Sequence, residues 1–210
     1  MKNNSKASIP YLIGITGSFG TGKSSVGRIL EDYGAIVIDT DDIVRELLRT
    51  KNNVTDTIAR TFGDSVINNN NLEYIDRKAL ADLVFSDEVK RKELESIIHP
   101  EVNKVLESFV LLHKDKNIIA ALIPLLFECG LEQYYDEIWC VTCKKELQTK
   151  RLSDKGFTEN EISLRINSQL PIDIKAEKSD FIIDNSGSIG ETKEQVLSRL
   201  KELNLNAQSV

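Results

Sequence analysis

The segment GSFGTGKS, Gly17–Ser24, constrains the fold of this chain more than any other. It fits G-x-x-x-x-G-K-[ST] at every fixed position, follows the apolar run YLIGIT, and opens a stretch with apolar residues at Val26, Ile29, Leu30 and Tyr33. A strand, a glycine-rich turn and a helix in that order aim consecutive backbone N–H groups at a phosphate, at the positive end of the helix. Lys23 is expected to reach the β- and γ-phosphates, and the Ser24 hydroxyl to hold Mg²⁺. A dinucleotide-binding G-x-G-x-x-G fails, because after Gly20 and Gly22 its third glycine position holds Ser25. The expected ligand is a nucleoside triphosphate.

Four further apolar runs read as strands: Ala35–Asp39, Asn117–Ile123, Glu137–Val141 and Asp180–Asp184, with Tyr11–Thr16 the first of five. None alternates cleanly, as befits parallel strands covered on both faces. Helical patterns between them predict an α/β fold, a doubly wound parallel five-stranded sheet of the P-loop NTPase type. About eighty residues separate Asp39 from Asn117, far more than one crossover needs. They read as helices over Asn53–Phe62, Asp76–Phe85, Asp87–Ile98 and Pro100–His113, with the asparagine run Asn68–Asn71 a solvated turn. The expected organisation is a nucleotide-binding core (11–50, 117–143 and 179–205), an inserted helical acceptor-binding domain (51–116) and a helical lid (144–178). Residues 1–10 are expected to be disordered. Within the lid, Thr158 and Glu161 predict a capping box and Phe157 with Ile162 a hydrophobic staple. Ile162, Ile166 and Leu170 would then face inward, leaving Arg165 and Gln169 together on another face.

The second strand ends in Asp39, and Asp41 follows in DTDD. Ligand chemistry gathers at the carboxyl ends of parallel strands. Asp39 is therefore expected to orient water on the metal, and Asp41 to accept a proton from an acceptor hydroxyl, which suits the loose transition state of phosphoryl transfer. Asp42, and Asp39 in part, also fit a helix N-cap. A GTPase would need N-K-x-D, and Asn103-Lys104 lacks the aspartate. The single D-x-x-G, Asp184–Gly187, comes after the last strand. The third strand ends in Ile123-Pro124 rather than in an acid, unlike a mechanical ATPase. A small-molecule kinase remains, with a nucleoside or nucleotide kinase and a weakly catalytic nucleotide-dependent switch as the alternatives.

GITGSFGTGKSSV, VIDTDDIVREL, IDRKALADLVF, IIHPEV, IPLLFE, QTKRLSDKGFTENEI and KSDFIIDNSG occur in an order and spacing that resembles the dephospho-CoA kinases, over Tyr11 to Gly190. The resemblance implies ATP- and Mg²⁺-dependent phosphorylation of the ribose 3′-hydroxyl of dephospho-CoA, the last step of coenzyme A synthesis. It implies that Asp41 is the base, that Lys23 and Arg151 serve the triphosphate, and that Asn185 lies beside the adenine. Arg45, Arg77, His99 and Pro100 fall in the acceptor site, with Leu125 and Glu128 at its floor and Asp39 nearby. Three departures stand out. GSFGTGKS replaces the commoner GGIGSGKS, DTD replaces DAD, and Lys155 stands where many members carry arginine. Lysine lacks the bidentate fork, so Arg151 is preferred as the lid's phosphate ligand.

Charge and cysteines bound the rest. With 27 Lys and Arg against 33 Asp and Glu, the formal charge is −6, which argues against general nucleic-acid binding. Residues 144–178 hold eight basic and six acidic side chains, a local +2 that leaves −8 elsewhere. A positive lid could close over polyphosphate and exclude water. Cys140 and Cys143 fall on opposite strand faces and lack the further ligands zinc needs. Trp139 reads as packing and His113 as surface. The three cysteines, the lack of an apolar run near 20 residues and the short YLIGI stretch predict a cytoplasmic protein. No membrane or nucleic-acid partner is expected, and the expected state is a monomer or weak oligomer.

Overall fold

In the computed structural model, which describes residues 10–68, 74–85 and 87–205, five strands form one parallel sheet: β1 Tyr11–Thr16, β2 Ile36–Asp39, β3 Ile118–Leu122, β4 Glu137–Thr142 and β5 Phe181–Asp184. Their order is β2-β3-β1-β4-β5. All four pairings are parallel, as Ile13 opposite Ala120 and Ile15 opposite Trp139 illustrate. The residues expected to be disordered, apart from Pro10, and most of the asparagine run lie outside the described residues.

The chain divides into two compact units, one joining the residues up to Asp39 with those from Val110 onward, the other Thr40–Phe109. In the first, α1 (Lys23–Asp32) and α9 (Ile189–Glu202) cover the sheet. Ile13, Ile15, Val26, Leu30, Trp139, Val141, Val196 and Leu200 make a continuous core. Trp139 is fully buried and meets Phe181 edge-on at 5.6 Å. The helices α6 (Lys145–Ser153), α7 (Glu159–Asn167) and α8 (Ile172–Glu177) belong to this unit. Their tie to it is visible in the burial of Gln148, Leu152, Ile162 and Lys175. The Thr158–Glu161 capping box forms at the start of α7.

The second unit is helical: α2 (Thr40–Arg49), α3 (Asn53–Phe62), α4 (Arg77–Phe85) and the first part of α5 (Glu88–Leu112). Asn52 caps α3 and Asp76 caps α4, each accepting two backbone N–H groups. Two helices were expected over 87–113, broken at Pro100, but α5 runs through the proline. Proline removes one intrahelical bond and crowds the preceding turn. Burial of Ile98, Val102 and Leu106 along one face of α5 offsets that cost. Asp42, read as a cap, lies inside the first turn of α2 instead. Among the described residues, no helix is long and apolar enough to cross a membrane.

Candidate active site: a phosphate loop fastened to the helices after β4

The glycine loop leaves the end of β1 and enters α1 through Gly22, whose φ of 104° is left-handed. A Cβ there would lie 1.9 Å from Asn185 Nδ2, so both conformation and space demand glycine. Gly22 offers no side-chain cap to α1, and while Ser25 N–H donates back to Gly22 O at 2.9 Å, the N–H groups of Lys23 and Ser24 belong to the open first turn of the helix. They and the helix dipole are suited to an anion. Lys23 Nζ curls back over this mouth, donating to Gly17 O at 2.9 Å and Ser18 O at 3.1 Å. Thr21, almost fully buried, donates its hydroxyl to Ser18 O. Ser24 is exposed at the start of the helix.

Asn185 comes from the turn after β5. Its Nδ2 donates to Thr21 O at 2.8 Å, and its Oδ1 accepts from Thr192 Oγ1 at 2.9 Å. The side chain expected beside a base thus braces the loop. Arg151, on α6, donates from Nη2 to Asn185 O at 3.0 Å. Its Nη1 is buried without a hydrogen-bond partner among the described residues, and it would lie 3.8 Å from a Cβ at Gly22. Lys23, Arg151 and Asn185 are therefore gathered around the loop by three different elements.

Asp39 ends β2 opposite Leu122, which in turn pairs with Ile15. Two strand spacings, roughly 10 Å, put Asp39 to the side of the loop rather than beneath it. Leu125 and Glu128 lie in the turn after β3. Glu128 Oε1 accepts from the Leu170 backbone N–H at 2.8 Å and pairs with Lys175 Nζ at 2.8 Å. Lys175 was counted with the positive charge of the 144–178 segment, yet it is fully buried and also donates to Pro124 O at 2.5 Å. Pro124 O accepts from Thr16 Oγ1 as well, so this ion pair braces the end of β1 just before the loop. Cys140 and Cys143 are free thiols. Burial pushes Cys140 up to about 11, with Lys175 and Lys23 pulling the other way. Burial also raises Cys143, partly offset by Arg151.

The remaining expected residues belong to the helical unit. Asp41 is in the first turn of α2, and Arg45, one turn on, is in close ion contact with Asp42. Arg77 begins α4, and His99 and Pro100 are mid-helix in α5. Burial holds His99 below the usual histidine value, with Glu95 opposing.

Gln148, Gln169, Lys175 and Thr192 all support this site, and none was identified from the sequence. Only the shared face of Arg165 and Gln169 was visible, without a target. Lys175 carried no signal, since a buried lysine and a surface lysine look alike in a polar segment.

A parallel sheet in the order β2-β3-β1-β4-β5, with a lysine-bearing phosphate loop at the end of its central strand, defines a P-loop kinase fold. The family model for dephospho-CoA kinase matches residues 11–191. A dephospho-CoA kinase of Parasynechococcus marenigrum is 39% identical over 180 residues, covering 85% of this chain and 89% of that protein. Among solved structures, a Thermus thermophilus protein superposes with a TM-score of 0.79 at 32% identity, over 93% of this chain and 98% of the other. The dephospho-CoA kinase of Campylobacter jejuni follows with a TM-score of 0.60 at 26% identity and the same coverage. The chain belongs to the dephospho-CoA kinase family, a family of ATP-dependent kinases.

Proposed function

We propose that this enzyme transfers the γ-phosphoryl group of ATP to the ribose 3′-hydroxyl of dephospho-CoA, giving coenzyme A and ADP, as a cytoplasmic catalyst. The observation that carries the phosphate half of this reading is the mouth of α1, where Lys23, Arg151 and the first-turn N–H groups surround Gly22. The Arg151 guanidinium, its Nη1 buried beside the Gly22 turn, supports a bound anion there through its charge. Residues Gly17–Ser25 hold the phosphates, Lys23 and Arg151 stabilise charge on the transferring group, and Asn185 keeps the loop in shape on the adenine side. Asp41 takes the proton of the 3′-hydroxyl as the new O–P bond forms and the bond to the ADP oxygen breaks. Such a base contributes roughly 10²–10⁴-fold. Arg45, Arg77, His99 and Pro100 bind the acceptor, with Leu125 and Glu128 at the base of its site.

Mg²⁺ fits the donor set: the exposed Ser24 hydroxyl and the Asp39 carboxylate are hard oxygen donors, and Mg²⁺ takes few protein ligands because it keeps waters and phosphate oxygens. Ser24 would bind it directly, and Asp39, set to one side, through water. When bound, the ion neutralises charge on the β- and γ-phosphates.

The test is Asp41→Asn. Calorimetry should give an unchanged ATP affinity, while single-turnover transfer to dephospho-CoA falls at least about 100-fold. Transfer at the unaltered rate would remove Asp41 from the role of base.

A further inference from the structure

Phe19, third residue of the loop, has both of its backbone polar groups taken by glutamine side chains from the helices after β4. Its N–H donates to Gln169 Oε1 at 2.9 Å. Its carbonyl accepts from Gln148 Nε2 at 2.5 Å, and the same amide nitrogen lies 3.2 Å from Ser18 Oγ. Gln148 projects from α6 and Gln169 follows α7, so two separate elements grip one residue. The Phe19 ring adds a third hold. It meets Phe157 edge-on, with centroids 5.2 Å apart at 83°, and the Arg165 guanidinium lies 5.0 Å from one ring and 4.8 Å from the other. Beneath, Leu152 sits where any Cβ on Gly20 would fall, 2.7 Å away. Arg165 and Gln169, one turn apart, therefore share a face because both serve Phe19.

We propose that Gln148 and Gln169 are positioning residues for phosphate binding, fixing the Phe19 peptide groups so that the loop keeps the shape in which Thr21 N–H and Ser25 N–H are tied to Ser18 O and Gly22 O and the N–H groups of Gly22, Lys23 and Ser24 are left to the phosphates. This rests on the assignment of Gly17–Ser25 to the phosphates of ATP. Neither glutamine need touch the nucleotide. A loop that is loosened at Phe19 must be ordered again each time ATP binds, so the loss appears in nucleotide affinity rather than in the chemical step. The two contacts have opposite polarity. Gln169 acts as an acceptor, a role glutamate can keep, whereas Gln148 acts as a donor, a role glutamate cannot fill.

The full-length enzyme is tested with Gln148→Met, Gln169→Met and Gln169→Glu. Each methionine variant should raise the KM for ATP about tenfold, the loss of one net hydrogen bond, with kcat and the KM for dephospho-CoA within about twofold. Residue-resolved amide exchange should show Phe19 N–H losing protection in Gln169→Met and keeping it in Gln169→Glu. That comparison needs no turnover and keeps the contact testable if a methionine variant folds poorly. Methionine variants with the unaltered ATP KM would overturn the proposal, as would equal Phe19 protection in Gln169→Met and Gln169→Glu. Should the unaltered enzyme fail to bind ATP in calorimetry, the phosphate assignment itself would fall, which is a different result from either.

Discussion

At Gly22, a left-handed φ and an asparagine side chain packed against the α-carbon leave no room for a Cβ. The neighbouring Lys23 is held by carbonyls of the same loop, so its charge is in place before a phosphate arrives. His99 shows a different residue-scale effect. Burial keeps its imidazole neutral to lower pH than in the unfolded chain, where the value is near 6.5. Between the two values the unfolded chain binds the extra proton, so stability is fully present above about pH 6.5 and declines as pH falls through the lower folded value. Chemical denaturation between pH 7.5 and 5.5 should show this decline, and His99→Gln should flatten it. An equal slope in both proteins would mean that other groups carry the dependence.

Among the elements, the strands were legible because each is a short apolar run ended by Gly, Pro or charge, and all five appear where the sequence puts them, within one residue at each end. The α7 cap was equally legible, since Thr158 and Glu161 act through local spacing alone. The continuity of α5 was not. Pro100 is a local stop signal, and only burial of Ile98, Val102 and Leu106 overrides it. The same holds for the site. Gly17–Ser24 could be read directly because its chemistry lies in one contiguous segment. Gln148, Gln169 and Lys175 act on the loop and on the end of β1 across more than 50 residues of chain, and sequence spacing does not report such contacts. The proline has a measurable cost. Pro100→Ala restores a donor to the helix and should raise stability by about 1–3 kcal/mol in chemical denaturation. Its proposed place in the acceptor site means that the KM for dephospho-CoA should rise as well. A variant that is no more stable would show that the helix bends to suit the proline.

For the whole molecule, a charge of −6 is compatible with the proposed phosphate site because the positive groups assigned to it are local: one loop lysine, one arginine from α6 and the N-terminus of α1. The segment after β4 contributes less free charge than its composition suggests, since Lys175 is enclosed with Glu128 and Arg165 lies against two aromatic rings. Its structural role is to brace the loop. The helical unit carries Asp41, Arg45, Arg77, His99 and Pro100, the residues proposed for the base and for most of the acceptor contacts. The most direct test of that reaction is to incubate the purified protein with Mg·ATP and, separately, dephospho-CoA, adenosine and the common nucleoside monophosphates. The products are then identified by mass spectrometry and ³¹P NMR. Dephospho-CoA should be converted to a product carrying one new phosphomonoester on the ribose 3′-oxygen, with stoichiometric ADP and little turnover of the other acceptors. Consumption of a nucleoside monophosphate while dephospho-CoA is left unchanged would contradict the assignment.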